Sequence, residues 1–304
     1  MVATDGVPHE RVVVHRPNER HDLGIGRTWL VMLRNVLESR HLIWQLFKRD
    51  FFAAYKKSFI GVTWRFAAPL AAIISWVFLK EMKVLDPGDV GMSYVPYVLT
   101  GTMAWGLFRG FYTSAHSTLS AGSGLVMQVN YPHECLFFKQ LATQMANFTF
   151  TLTTTVVVLL AYGQAPNWKI VFLPAAVLPM LFLGASFGLV FSMVSIVAMD
   201  VDRIADYALR LLMFATPVIY GPAKIAARLA ELTGDRVVGR LALEIVEKWN
   251  PLTYFVCSAR NLIVRGELYE PRGYFIASAV SLVLFLLSWR LFYVSENRVI
   301  ERMI

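Results

Sequence analysis

Four groups of residues in this 304-residue chain have types and spacings that could do chemistry. His133-Glu134 opens the zinc-protease helix pattern H-E-x-x-H, in which two His one turn apart hold the metal and the Glu acts as base. The position for the second His is Phe137, so the ligand pair is broken. Gly184-Ala185-Ser186-Phe187-Gly188 matches the nucleophile pattern G-x-S-x-G. In hydrolases that pattern sits on a strand-to-helix turn, whereas here it lies inside an apolar, helix-forming stretch. A Ser hydroxyl also needs a base. An intramembrane serine protease would take it from a His on a later helix, yet the last His is His133, ahead of the serine. That reading fails on composition, and the same glycines form a small-xxx-small stripe that lets two helices approach closely. Arg109 lies mid-way along another apolar stretch, flanked by Trp105, Phe108 and Tyr112, with His116 two turns on. A cation there is expensive and must face water or a partner. Two readings stand: a path lined by aromatic rings for sugars and a cation for phosphate, or an interfacial aromatic belt with a snorkelling Arg. Asp200, Asp202 and Arg203 are read as a solvated turn. No phosphate-binding loop G-x-x-x-x-G-K-[ST] occurs.

The elements that must position these residues are six apolar stretches, at 62–79, 94–119, 136–162, 169–198, 205–221 and 274–294. About 20 helical residues cross a hydrocarbon core of about 30 Å, so the expected fold is an all-α integral membrane protein with six transmembrane helices. The composition agrees. The chain is 56% hydrophobic and only 16% charged, with a mean hydropathy of +0.51. The net charge of +8 is assigned to the cytoplasmic membrane surface rather than to nucleic acid. Lys48, Arg49, Lys56, Lys57 and Arg65 crowd the start of the first stretch, and Arg298 and Arg302 follow the last. The positive-inside rule then puts both termini in the cytoplasm. The segment 222–273 is thereby outside, although it carries eight basic residues against six acidic ones; it is long, where the rule is weak. Cys135 and Cys257 fall on opposite sides of the membrane in this arrangement, so neither a disulfide nor a metal site is expected.

Residues 1–28 are polar and lack the apolar core of a signal peptide, so they are read as a cytosolic flexible tail. Residues 29–58 read as an amphipathic interface helix or helix pair. Trp29, Leu33, Val36 and Leu37 recur at helical spacing, as do Ile43, Leu46 and Phe47, with Arg34, Arg40, Lys48 and Arg49 opposite. Residues 59–304 are the six-span domain. Pro174 and Pro179 predict a bend in the fourth span. Residues 222–249 read as two short amphipathic helices split at Thr233-Gly234-Asp235. Asn250-Pro251 stops that pattern, and 252–264 is apolar enough to dip back towards the membrane, Arg260 and Arg265 arguing against a full crossing.

Five motifs in order and spacing give the chain a resemblance to the membrane subunits of type-2 ABC exporters for cell-surface polysaccharides: O antigen, capsule, teichoic acid and galactan. Arg49-Asp50-Phe51, then Tyr55-Lys56-Lys57-Ser58 and Gly61-Val62-Thr63-Trp64, resemble the family's opening segment. Asn130-Tyr131-Pro132-His133-Glu134 is similar to its F-P-R-E turn. Met199-Asp200-Val201-Asp202-Arg203 resembles its R-D-V. Thr216-Pro217-Val218-Ile219-Tyr220 resembles S-P-V-I-Y, and Asn250-Pro251-Leu252-Thr253 matches N-P-L-T. His133 and Met199 stand where the family usually has Arg, which changes the charge at the expected ATPase contact.

The resemblance implies a channel-forming subunit that moves a lipid-linked, O-antigen-type polysaccharide across the bacterial inner membrane. Its partners are a second copy of itself, two cytosolic ATPase subunits, the glycan and membrane lipid. The subunit is no enzyme and holds no cofactor; ATP and Mg belong to the ATPase. The loop at about 122–132 becomes a coupling helix, the ATPase contact comprising Leu125, Val126, Met127, Gln128, Val129, Asn130, Tyr131, Pro132, His133 and Glu134 together with Lys48 and Arg49. Residues 222–249 become outer gate helices. Trp64, Trp76, Phe214 and Tyr220 would line the channel, joined by the Trp105, Phe108, Arg109 and Tyr112 group. The alternative is a type-2 ABC permease for a drug or lipid, with a narrower path and fewer aromatic rings.

Overall fold

In a helix every backbone group outside the two ends is satisfied internally, so long apolar runs become helices, and Pro, Asn and Gly decide where they stop. A computed structural model describes residues 25–53, 61–118, 134–195, 198, 200–221, 224, 227, 228, 231 and 236–301. Every longer regular element among them is helical. In chain order they are α1 (Ile25–Glu38), α2 (Arg40–Ala53), α3 (Thr63–Glu81), α4 (Tyr94–His116), α5 (Glu134–Ala161), a 3-10 turn (Trp168–Phe172), α6 (Leu173–Ala176), α7 (Leu178–Val194), α8 (Asp200–Phe214), α9 (Arg236–Glu244), a π turn (Ile245–Trp249), α10 (Pro251–Val264) and α11 (Pro271–Glu301).

The axis of the bundle is α4. Pro96 sits in its first turn, where the absent N–H is harmless. Fifteen of its 23 residues are buried, so it is enclosed on nearly all sides. Its Thr hydroxyls return to the helix's own backbone: Thr100 to the Pro96 carbonyl at 2.9 Å, Thr102 to Val98 at 2.7 Å and Thr113 to Arg109 at 2.9 Å. Its closest neighbour is α7, because Gly184 and Gly188 remove the side chains between them. A Cβ at Gly184 would stand 2.8 Å from the Phe108 carbonyl oxygen, and one at Gly188 2.4 Å from that of Tyr112. Ser186 spends its hydroxyl on the Leu183 carbonyl at 2.7 Å. The stripe is thus packing surface. Helix α11 flanks α7, while α5 and α3 flank α4.

Three helical stretches among the described residues are long and apolar enough to cross a membrane: Cys135–Ala161, Trp168–Ser195 and Pro271–Ser295. The other three of the six expected spans form helices of more mixed character. Helix α3 carries Arg65 at its start and Lys80-Glu81 at its end, α4 carries its threonines and Arg109, and α8 is only 15 residues with charges throughout. The bend foreseen at Pro174 and Pro179 is a break at Val177 between α6 and α7. Asp200, Asp202 and Arg203, read from sequence as a turn, instead wind into the first turn of α8, where acidic groups complement the helix's positive end. Cys135 and Cys257 are both buried.

Candidate functional site

Helix α8 packs lightly on the rest of the chain, chiefly at the end of α7. Two polar rungs join it to α4. Asp206 Oδ1 lies 3.7 Å from Arg109 Nη2, and Asp202 Oδ1 lies 2.9 Å from His116 Nε2. The acids are four residues apart on one face of α8, and Arg109 and His116 are two turns apart on α4, running oppositely, so the helices are antiparallel there. Tyr112 stacks on His116 with ring centroids 5.7 Å apart. On the opposite face of α8, Ile204, Tyr207, Leu211 and Phe214 form an exposed stripe, and Arg210 stands over the Tyr207 ring at 5.6 Å.

Of the aromatic residues read as a path, the structure brings two sets together in different places. Trp64 and Phe214 are 56% and 49% exposed. Phe214 meets the half-buried Trp76 edge-on at 6.0 Å, joining α3 to α8. Tyr220 is buried and its hydroxyl donates to the Phe214 carbonyl. Trp105, Phe108 and Tyr112, by contrast, are turned into the subunit interior, while the Arg109 side chain between them is 47% exposed. The rings are covered, while the cation that shares their side of α4 reaches solvent.

The segment after α8 is held by side chains from elsewhere. Asn250 Nδ2 donates to the Ala215 carbonyl at 2.8 Å and to Thr216 Oγ1 at 2.9 Å, while its Oδ1 caps α10 by accepting from Leu252 N at 3.0 Å. One Asn thus ends the α8 segment and starts α10. Lys224 pairs with Asp86 in the loop before α4, and that ion pair with the Gly88 amide holds the Asp86 carboxyl below the usual range.

At the other end of the bundle, α2 lies along α5. Leu46 packs with Cys135 and Leu136. Lys139, almost buried, donates from Nζ to Asp50 Oδ2 at 2.8 Å, and Arg49 Nε reaches Asp50 Oδ1 at 2.9 Å. Burial works to raise the Asp50 pKa, but the hydrogen bonds from Lys139 and Arg49 outweigh it and hold the carboxyl below its ordinary value. Lys48 lies 5.7 Å from the Trp44 ring. Arg65, from α3, sits over Phe51 at 4.1 Å and Phe150 at 5.0 Å. Helices α2 and α3 therefore converge on α5 between Cys135 and Phe150. Leu125 to His133, expected to be the ATPase contact, lie outside the described residues; Glu134 opens α5, and its side chain also lies outside them. So do most of the residues expected in the first gate helix, while α9 occupies the second.

Sequence reasoning singled out neither Lys139 nor Asp206. A lone Lys in an apolar run always asks for a partner, and Asp202 and Asp206 share a helix face; those two signals were available.

No family model matches the chain. It is similar to an O-antigen export system permease protein, RfbA, of Myxococcus xanthus, with 26% identity over 88% of this chain and 96% of that protein. Two proteins of the same name from Klebsiella pneumoniae are 23% and 22% identical, each over 73% of this chain and 80% of their own length. The resemblance seen in the five motifs therefore extends over most of the sequence.

Proposed function

We propose that this chain is the membrane subunit of an exporter that carries a lipid-linked polysaccharide of O-antigen type from the bacterial cytoplasm across the inner membrane. The observation that carries this reading is the likeness to the Myxococcus xanthus permease, which runs nearly end to end in both proteins. In this reading six helical segments cross the bilayer, both termini are cytoplasmic, and two copies enclose the passage. ATP and Mg are bound by a separate pair of cytosolic subunits.

The physical case starts from the cargo. A glycan is too polar for lipid and needs a continuous lined path. The exposed faces of α3 and α8 supply a candidate wall, because Trp64, Trp76, Phe214 and Tyr207 offer flat apolar faces on which sugar C–H surfaces stack. Many weak stacking contacts let a polymer slide, where one strong site would trap it. Trp105, Phe108 and Tyr112 fall behind that wall and serve to hold α4, while Arg109 and Asp206 stand at its edge. Residues 122–132, with Lys48 and Arg49 on α2, receive the motion of the ATPase. The tie between Asp50 and Lys139 makes α2 and the start of α5 respond together. Residues 222–249 close the outer mouth.

The test is transport by the purified chain with its cognate ATPase in sealed vesicles. ATP-dependent movement of lipid-linked glycan into the lumen is expected. A complex that hydrolyses ATP yet moves no glycan, or a chain that never associates with an ATPase, would sink this reading.

A further inference from the structure

Where α8 ends, the backbone of residues 215–220 leaves helical geometry, and Pro217 has no N–H to give. The carbonyls released there must find donors if they are buried. Asn250 takes that of Ala215, and the Tyr97 hydroxyl takes that of Tyr220 at 2.8 Å. Between them, the Thr216 carbonyl accepts from Val218 N at 2.7 Å, and those of Pro217 and Val218 belong to Arg260. Its Nη1 and Nη2 each reach the Pro217 carbonyl at 3.2 Å, and Nη2 also reaches that of Val218 at 3.0 Å. Nε donates to Thr100 Oγ1 at 3.3 Å, and the guanidinium lies 3.7 Å from the Tyr97 ring centroid.

Arg260 is only 6% exposed and makes no ion pair among the described residues. A buried cation is costly unless fully hydrogen-bonded, and here carbonyl dipoles and an aromatic face do the work of a carboxylate. The planar fork holds two successive carbonyls through Nη1 and Nη2 while Nε turns to Thr100, a span that a single ammonium does not match. Helix α4 is shaped to admit it: a Cβ at Gly101 would stand 2.2 Å from the Val218 oxygen and 2.4 Å from Arg260 Nη2.

We infer that Arg260 is a positioning residue, seated through Gly101, that stations the turn 215–220 and thereby the Phe214 end of α8 against α4. It does not meet cargo. Its hydrogen bonds run to two backbone carbonyls and the Thr100 hydroxyl, and its surface is covered. What the turn does, forming part of the exit wall, rests on the export reading; that Arg260 holds it does not.

The test is amide hydrogen exchange on the full chain in lipid nanodiscs, comparing the wild type with Arg260→Lys, Gly101→Ala and the milder Thr100→Val. Arg260→Lys keeps the charge and loses the fork, while Gly101→Ala leaves Arg260 in place and presses on both its Nη2 and the Val218 carbonyl. Both should raise exchange at 216–221 by about tenfold or more, with peptides of α7 and α11 unchanged, and Thr100→Val should raise it less. Glycan export should fall in the same order. Wild-type exchange in both Arg260→Lys and Gly101→Ala would overturn the inference, as would full protection in Arg260→Lys alone. Faster exchange at the turn in a chain whose wild type moves no glycan would uphold the clamp and refute export.

Discussion

Lys139 has only 9% of its side chain exposed and, among the described residues, one anionic partner, Asp50. Removing one member of such a pair leaves a charge without compensation, whereas removing both does not. Asp50→Asn should therefore destabilise the chain by about 1–3 kcal/mol, and Asp50→Asn with Lys139→Met by less than the two single changes combined. Thermal unfolding of the purified variants measures this, and additive losses would show that the two residues do not interact. The pH dependence has a definite sign. The Asp50 carboxyl is held below its ordinary range, so its contribution is complete above the unfolded carboxylate pKa and is lost as pH falls through the lowered folded value. The tie between α2 and α5 should be indifferent to pH around neutrality and loosen only in strong acid. Fluorescence energy transfer between labels on those helices follows it; loosening near neutrality would assign the tie to another group. Gly188 is the complementary case, a residue important for what it lacks. Gly188→Val would press on the Tyr112 carbonyl and the Ala115 methyl, and overpacking of this kind costs about 1–3 kcal/mol. The glycine stripe was legible in the sequence because small residues four apart have one meaning in an apolar helix. The Asp50–Lys139 pair was not, because its members are far apart in the chain and only the fold joins them.

At the level of the helix, α8 differs from its neighbours in burying only Ala205 and Leu209 and in adding polar ties to α4. Its links to α4 are the Arg109–Asp206 and His116–Asp202 rungs, and all four side chains are partly solvated. Exposed pairs of this kind contribute about 0–1 kcal/mol, too little to fix the fold but enough to bias the angle of a lightly packed helix. Reversing one rung by Arg109→Glu should leave the unfolding temperature within a few degrees of wild type while lowering export. Adding Asp206→Arg should restore it. A double variant no better than the single one would show that Arg109 acts on something other than α8. Helix existence was legible here from apolar runs and Pro signals, but orientation was not. Helix α4 is buried nearly all round, so no periodicity marks which way Trp105, Phe108 and Tyr112 turn. Acids at 200 and 202 read as a turn from sequence because a helix start and a solvated loop have the same composition; only the helix dipole separates them.

Over the whole molecule, apolar side chains cover the outside as well as the inside, which a chain in water would not tolerate. Two kinds of exposed face can be told apart. That of α11 presents Ile276, Val280, Val283, Leu287 and Leu291, all aliphatic, as a surface against lipid requires. The face of α8 mixes Tyr207, Leu211 and Phe214 with Arg210, and Phe214 meets Trp76 of α3. A cation stacked on an aromatic ring is poorly matched to acyl chains and well matched to a protein or water-filled boundary. If two copies enclose a passage, α8 and α3 face it and α11 faces lipid. A single cysteine at Leu211, in a chain with Cys135 and Cys257 replaced, should form disulfide-linked dimers in native membranes on mild oxidation. A cysteine at Val283 should not. The pattern should persist at low expression, where chance collisions between copies are rare. Crosslinking through Val283 with none through Leu211 would turn the molecule around, placing α11 between the copies and leaving α8 to the lipid, and the aromatic wall assigned to α3 and α8 would then line no passage.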